Sequence, residues 1–102
     1  MPYFLVHTVV TIPEGESDRE LVWLRAAEVS RAQELQDTGI LAALWREAGR
    51  LASYGLWHVS DATQLRQLVA TLPMYRYMTV ELIELEPHPN AVGTFPFPKV
   101  RP

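Results

Sequence analysis

The chain has 102 residues, 48% of them hydrophobic, and a net charge of −3, which suits one compact domain and argues against nucleic acid as a partner because no basic stripe is present. It contains no cysteine, and its three histidines, His7, His58 and His88, lack the short spacing of metal ligands, so we expect neither a disulfide nor a metal site. Because no apolar run approaches the roughly 20 residues that span a bilayer, and the first residues lack the basic start of a signal peptide, we expect no membrane association and a cytoplasmic location.

The first predicted elements are a strand and a long helix. Residues 3–12 alternate, and one face of the strand carries Phe4, Val6, Thr8, Val10 and Ile12. After the turn PEGE, Ser17 and Glu20 have the spacing of a capping box, which predicts a helix over about residues 18–38. Gly39 is suited to the left-handed conformation that ends a helix.

Two strands and a turn follow the helix. Residues 40–47, ILAALWRE, and residues 52–59, ASYGLWHV, each have the composition of a strand. The tract Ala48-Gly49-Arg50 between them is typical of a turn, so the two strands are predicted to form a hairpin.

The last predicted elements are a second helix, a fourth strand and a tail. Ser60 or Asp61 caps the helix, Pro73 ends it, and its buried stripe contains Leu65, Leu68, Val69 and Leu72. The strand covers about residues 77–85, with Met78, Val80 and Leu82 facing inward. Residues 91–102 are proline-rich and are predicted to form an extended tail after a domain that covers residues 1–90.

The order β-α-β-β-α-β predicts an α+β domain of the ferredoxin-like split type, in which two helices cover one face of a four-stranded antiparallel sheet. The other face has no cover within the chain. Apolar residues Leu5, Val9 and Ile83, with Tyr3 and Tyr77, are predicted to point outward there. We therefore expect self-association through this face.

One acid interrupts the apolar stripe of the first helix. Glu28 follows Leu21 and Leu24 and precedes Ala32 and Leu35 at spacings of three or four residues. A carboxylate in such a place must either find a cation or acquire a raised pKa. The first alternative is a structural ion pair with one of three arginines, Arg25, Arg31 or Arg46. The second is a general base, and spacing alone does not decide between them.

Several tracts in fixed order resemble the muconolactone Δ-isomerase family. They are RAAEVSRAQELQ, LWREAG, SYGLWHVSD, LPMYRYMTVEL and a following HP, and the resemblance covers about residues 3–90. It implies a ferredoxin-like fold, no cofactor, and a homodecamer with active sites at subunit contacts. It also implies a reaction in the catabolism of aromatic compounds, in which a double bond moves within an unsaturated lactone through a dienolate.

The resemblance also suggests roles for individual residues. The catalytic helix acid of the family falls on Glu28, which would remove and return the proton. From its chemistry, Arg46 is the candidate to hold the substrate carboxylate or the dienolate oxygen, the alternative being a surface arginine or a partner of Glu47. Tyr54 could donate a phenolic proton or could instead fill the core or an interface. The candidate substrate-binding residues are Ser53, Trp45, His7 and Tyr77. His7 and His58 also suit buried or interface positions, and Trp45 and Trp57 suit packing that excludes water.

The chain departs from the family pattern at the predicted pocket. Leu41-Ala42 replaces an aromatic-basic pair, Arg76 lies in the YRYM tract, and His58 replaces an aspartate. An apolar wall made by Leu41, Ala42, Ala43 and Gly55 would admit a bulkier or less polar lactone.

Three hypotheses therefore stand side by side. The first is a lactone isomerase, with halide loss from a chloro-substituted substrate as a variant. The second is a cofactorless monooxygenase or polyketide cyclase that binds a planar aromatic compound on the sheet. The third is a non-catalytic subunit in which Glu28 is paired with an arginine.

Overall fold

The computed structural model describes residues 2–92. Its elements are β1 (Tyr3–Val10), α1 (Asp18–Asp37), β2 (Leu41–Arg46), β3 (Ala52–His58), α2 (Ala62–Val69), a 3-10 turn (Tyr75–Tyr77) and β4 (Met78–Leu85). The sheet order is β2-β3-β1-β4, with antiparallel neighbours throughout. This confirms the predicted α+β ferredoxin-like fold. The predicted extended tail lies, from residue 93 onward, outside the described residues.

Local signals set the helix boundaries. Ser17 Oγ accepts a hydrogen bond from the Glu20 amide at 3.1 Å, and Gly39 ends the first helical segment with a φ of +80°. Asp61, the second of the two predicted caps, accepts from the Gln64 amide at 2.7 Å. Within residues 2–92, neither α-helix is long and apolar enough to cross a membrane.

The end of α2 differs from the prediction. The helix stops at Val69, before Pro73, because the next amides bond to carbonyls only three residues back: Thr71 to Leu68 at 3.0 Å and Leu72 to Val69 at 3.1 Å. This tighter turn places the Leu72 side chain in the core, where it is 8% exposed.

Tyr77 also differs from the prediction. It ends the 3-10 turn before β4 and packs with Leu21 and Met74, only 7% exposed. The predicted outward position is therefore wrong, because the turn shifts the strand start to Met78 and directs the Tyr77 ring under α1.

The core consists of two separate clusters on the helix side of the sheet. The main cluster joins all the strands and both helices and contains the buried residues Phe4, Val6, Leu35, Leu41, Trp57, Val59, Leu65, Val69 and Leu72. The smaller one contains Leu21, Met74 and Tyr77. The α1 helix therefore contacts the main cluster near its C-terminus, through Leu35, and the smaller cluster near its N-terminus, through Leu21. Its middle, at Leu24 and Glu28, is only half-buried.

A β-bulge in β2 sets which side chains face the helices. Leu41 pairs with Trp57, but Ala43 pairs with the next residue of β3, Leu56, so Ala42 is an extra residue. Because side chains alternate along a strand, the insertion reverses the facing of every residue after it. It brings Arg46 to the helix side of the sheet, opposite Ser53.

The outer face of the sheet carries stacked rings. Tyr3 stacks on His58 and His7 stacks on Tyr54, each pair with ring centroids 4.4 Å apart. His7 Nε2 also lies 3.1 Å from a carboxylate oxygen of Glu47. No segment within residues 2–92 packs over this face to form a second core cluster there.

Candidate active site

A cavity of about 660 Å³ lies between the middle of α1 and the β1-β3-β2 part of the sheet. It occupies the space between the two core clusters, where α1 stands away from the strands. Most of its lining is apolar, and the apolar residues include Val6, Val10, Val29, Leu41, Leu44, Leu51, Trp57, Leu72, Met74 and Met78. The polar side chains of the lining are those of Thr8, Arg25, Glu28, Arg46 and Ser53. Such a pocket, mostly apolar with a few polar groups, is typical of a small-molecule site.

Glu28 is the acid of this cavity. Its Oε1 accepts a hydrogen bond from the Met74 amide at 2.9 Å, which ties the middle of α1 to the segment before β4. Burial raises the pKa of the Glu28 carboxyl above its ordinary value of 4.5, and the Met74 hydrogen bond opposes that rise in part. The acid in the apolar stripe therefore faces a cavity, whereas leucines at the two ends of the stripe face the core.

The ion-pair alternative for Glu28 is not realised within residues 2–92. No arginine nitrogen there lies within 4.0 Å of its carboxylate, and Arg31 pairs instead with Glu34 and donates to Thr71 Oγ1 at 3.0 Å. Arg25 and Arg46 line the same cavity as Glu28. Neither forms an ion pair in the described part of the chain, and the hydrogen bond that Arg46 makes there, from Nε to the Arg50 carbonyl oxygen at 3.5 Å, leaves its two terminal nitrogens for an anionic ligand.

Arg25 lines the cavity, although the sequence suggests it only as an ion-pair partner of Glu28. It lies three residues before Glu28, so the two side chains share one side of the helix. This spacing is the signal that could have assigned it to the site.

Two hydroxyl groups meet on the floor of the cavity. Thr8 Oγ1 and Ser53 Oγ lie 2.7 Å apart on neighbouring strands, opposite each other in the register of β1 and β3. Arg46 is the partner of Ser53 in β2. The structure thus brings together four of the predicted site residues, Glu28, Arg46, Ser53 and Trp45, of which Trp45 borders the cavity.

The other three predicted site residues lie away from the cavity. Tyr54 and His7 stack on each other on the outer face of the sheet. Each is adjacent in its strand to a cavity residue, and adjacent residues of a strand face opposite sides of the sheet. Tyr77 lies in the smaller core cluster. Of the predicted apolar wall, Leu41 and Gly55 line the cavity, whereas Ala42 and Ala43 do not.

Comparison with known proteins identifies the family. The model of the family described as muconolactone delta-isomerase matches residues 3–91. The chain belongs to the muconolactone Δ-isomerase family. It is therefore an isomerase, as the sequence resemblance predicted.

Individual relatives agree over nearly the whole chain. Muconolactone Δ-isomerase of Pseudomonas aeruginosa is 33% identical over 89 residues, which are 87% of this chain and 93% of that protein. The muconolactone Δ-isomerase of Rhodococcus opacus is 29% identical over 92 residues, 90% of this chain and 99% of the relative. A crystal structure of muconolactone isomerase superposes with a TM-score of 0.83 at 32% identity, covering 89% of this chain and 95% of that one.

The site of this muconolactone Δ-isomerase family member contains acid, cations and hydroxyls but no cluster of metal ligands. Within residues 2–92, no three His, Cys, Asp or Glu side chains are grouped so that they could hold a metal ion. The absence of a cofactor remains a prediction.

Proposed function

We propose that the enzyme shifts a carbon–carbon double bond within an unsaturated lactone that carries a carboxylate, muconolactone or a bulkier relative, in the catabolism of aromatic compounds. The observation that carries this proposal is the Glu28 carboxyl, which is half-buried in an apolar cavity with its pKa raised. Such a group suits proton transfer near neutral pH.

The reaction needs one group that can both accept and return a proton. The Glu28 carboxylate takes a proton from a ring carbon, and the electron pair of the broken C–H bond moves into the conjugated lactone, giving a dienolate. The resulting carboxylic acid then gives the same proton to another carbon, and the carbonyl re-forms with the double bond in its new place. No net proton or electron is gained or lost, so the chemistry needs no redox partner.

Two features of Glu28 support this role. Its Oε1 is held by the Met74 amide, so the carboxyl group has a fixed orientation. Its other oxygen has no hydrogen-bond partner within residues 2–92, which leaves it free to reach a substrate in the cavity.

The substrate carboxylate is assigned to the two cavity arginines. Arg46 and Arg25 approach from the sheet and from the helix, and both can form paired hydrogen bonds with a carboxylate. The cavity volume of about 660 Å³ lies within the range of roughly 300–1,000 Å³ of sites for drug-sized ligands. The volume can accommodate muconolactone or a relative with bulkier substituents.

The enzyme is further proposed to work as a homo-oligomer in the cytoplasm. The outer face of the sheet supports self-association, because its apolar residue Ile83 is 51% exposed. A decamer is the assembly that the family resemblance implies.

Turnover of muconolactone by the wild type and by Glu28→Gln tests the proposal. The amide keeps an oxygen that can accept from Met74, but it cannot take up the proton, so we expect kcat/KM to fall by about 10³-fold, within the range of general acid–base contributions. Ultraviolet absorbance follows the reaction. Glu34→Gln is the matched control, because Glu34 lies on the same helix, is exposed, and is not part of the cavity.

Two results would contradict the proposal. Glu28→Gln with near wild-type turnover would remove Glu28 from the reaction. A correctly folded wild type without any muconolactone turnover would move the substrate to another class, such as larger lactones or planar aromatic compounds.

A further inference from the structure

The indole of Trp57 occupies the floor of the cavity. Trp57 lies on the helix side of β3, is 4% exposed, and lines the cavity together with Gly55 and Leu41. Its ring lies over Gly55, because a Cβ atom at that position would stand only 2.9 Å from Trp57 Nε1 and 3.2 Å from Leu41 Cδ1. The missing side chain of Gly55 therefore makes the space in which the N–H edge of the indole sits.

The indole N–H of Trp57 has no protein acceptor. It donates no hydrogen bond to any residue within 2–92. The fully buried side-chain polar atom that lacks a partner in this part of the chain is Tyr77 Oη. Trp57 Nε1 does not belong to this class of fully buried, unpartnered atoms, which is consistent with an N–H at the surface of the cavity that Trp57 lines. A buried indole N–H normally finds a partner, so this one can donate to an acceptor that enters the cavity, either water or a ligand oxygen.

We propose that Trp57 is a catalytic residue whose indole N–H binds the lactone carbonyl oxygen and stabilises the dienolate oxygen that develops from it. This inference rests on the proposed function, since it assigns the oxygen site of the same reaction. Trp57 neither gains nor loses a proton. It donates a hydrogen bond that strengthens as negative charge moves from the broken C–H bond onto the carbonyl oxygen.

The different positions of the charged and the neutral donors in the cavity support this assignment. The two arginines of the cavity are exposed and suit a charged carboxylate, whereas Trp57 lies deep among apolar residues. A neutral donor in an apolar place can hold a carbonyl oxygen without the cost of burying a cation. Gly55 has a positioning role, because it lets the N–H edge face the cavity.

Nuclear magnetic resonance tests the contact without turnover. Glu28→Gln protein, deuterated and labelled with ¹⁵N, is titrated with muconolactone, and the indole N–H signals of its three tryptophans are assigned with Trp→Phe variants. We expect the Trp57 indole proton to move downfield on binding, while that of Trp23, 74% exposed on α1, stays in place.

Kinetics test the consequence for the reaction. Trp57→Phe keeps an aromatic ring but removes the donor, so kcat for muconolactone should fall by about 10²-fold with a much smaller change in KM. Gly55→Ala should lower kcat in the same direction, because the new methyl group displaces the indole edge. Trp23→Phe is the control and should retain wild-type kcat.

Each outcome decides the inference. A Trp57 signal that stays in place while other cavity resonances move would overturn it, as would Trp57→Phe protein with wild-type kcat. No cavity resonance moving at all would overturn it for this ligand. If the wild type fails to isomerise muconolactone, the proposed function fails, but a downfield shift of Trp57 on binding would still support the oxygen contact.

Discussion

The Glu28 carboxyl is subject to two opposing influences at the scale of the residue. Desolvation in the cavity disfavours its charged form, and the Met74 amide favours it, with desolvation the larger. The outcome is a pKa above 4.5, which leaves the group a stronger base than an exposed glutamate.

The pH profile of kcat/KM follows from this balance. Proton removal needs the carboxylate, so activity should fall as the pH drops through the pKa of Glu28 in the free enzyme. Because that pKa is raised, the acid limb should lie above pH 4.5. A limb at or below that value would show that the charged form of Glu28 is not destabilised by the cavity. Circular dichroism over the same pH range controls for unfolding.

At the scale of the element, the bulge at Ala42 determines which side chains of β2 face the cavity. Without the extra residue, strict alternation from Leu41 would direct Ala43 and Trp45 toward the helices and Arg46 toward the outer face. With it, Leu44 and Arg46 face the cavity.

Substitution of Arg46 measures what the bulge contributes to binding. Arg46→Gln removes the charged hydrogen-bond donor proposed for the substrate carboxylate, so we expect KM to rise by about 10- to 100-fold. Arg50→Gln is the control, because Arg50 lies in the following turn and pairs with Glu47 outside the cavity. An equal rise in KM for both variants would show that the loss of positive charge, and not a specific contact between Arg46 and the substrate, weakens binding.

The sequence predicts elements better than it predicts the facing of side chains. Capping at Ser17 and Gly39, the alternation of β1, and the acid in the stripe of α1 are local signals, and the structure agrees with them. The facing of Arg46 depends on a bulge that no residue type marks, since alanine is common in regular strands. The 3-10 turn that buries Tyr77 depends in the same way on packing under α1.

The sequence alone could have excluded Tyr54 from the cavity that contains Ser53. Ser53 and Tyr54 are consecutive in a strand and therefore face opposite sides of the sheet. Since Thr8 and Ser53 pair on the helix side, a catalytic role for Tyr54 in this cavity would need a contact across the sheet.

At the scale of the whole molecule, the outer face of the sheet predicts how copies associate. Ile83→Lys places a charge on an exposed residue of that face, so it should reduce the oligomer mass measured by light scattering while leaving the helical circular dichroism unchanged. Gln67→Lys adds the same charge on α2, away from this face, and should assemble as the wild type does. Assembly of Ile83→Lys protein at full mass would assign the contact to another surface, and a monomeric wild type would refute self-association itself.

The two-cluster core has a consequence for how this enzyme can change its substrate. The α1 helix is anchored at both ends, through Leu21 with Leu24 and through Leu35, whereas Val29 and Ala32 between them line the cavity. Substitutions at Val29 or Ala32, which line the cavity, can therefore reshape it while Leu21 and Leu35 keep the helix packed. The proposed site is therefore open to laboratory evolution, because the residues that would set substrate preference differ from those that hold α1 in place.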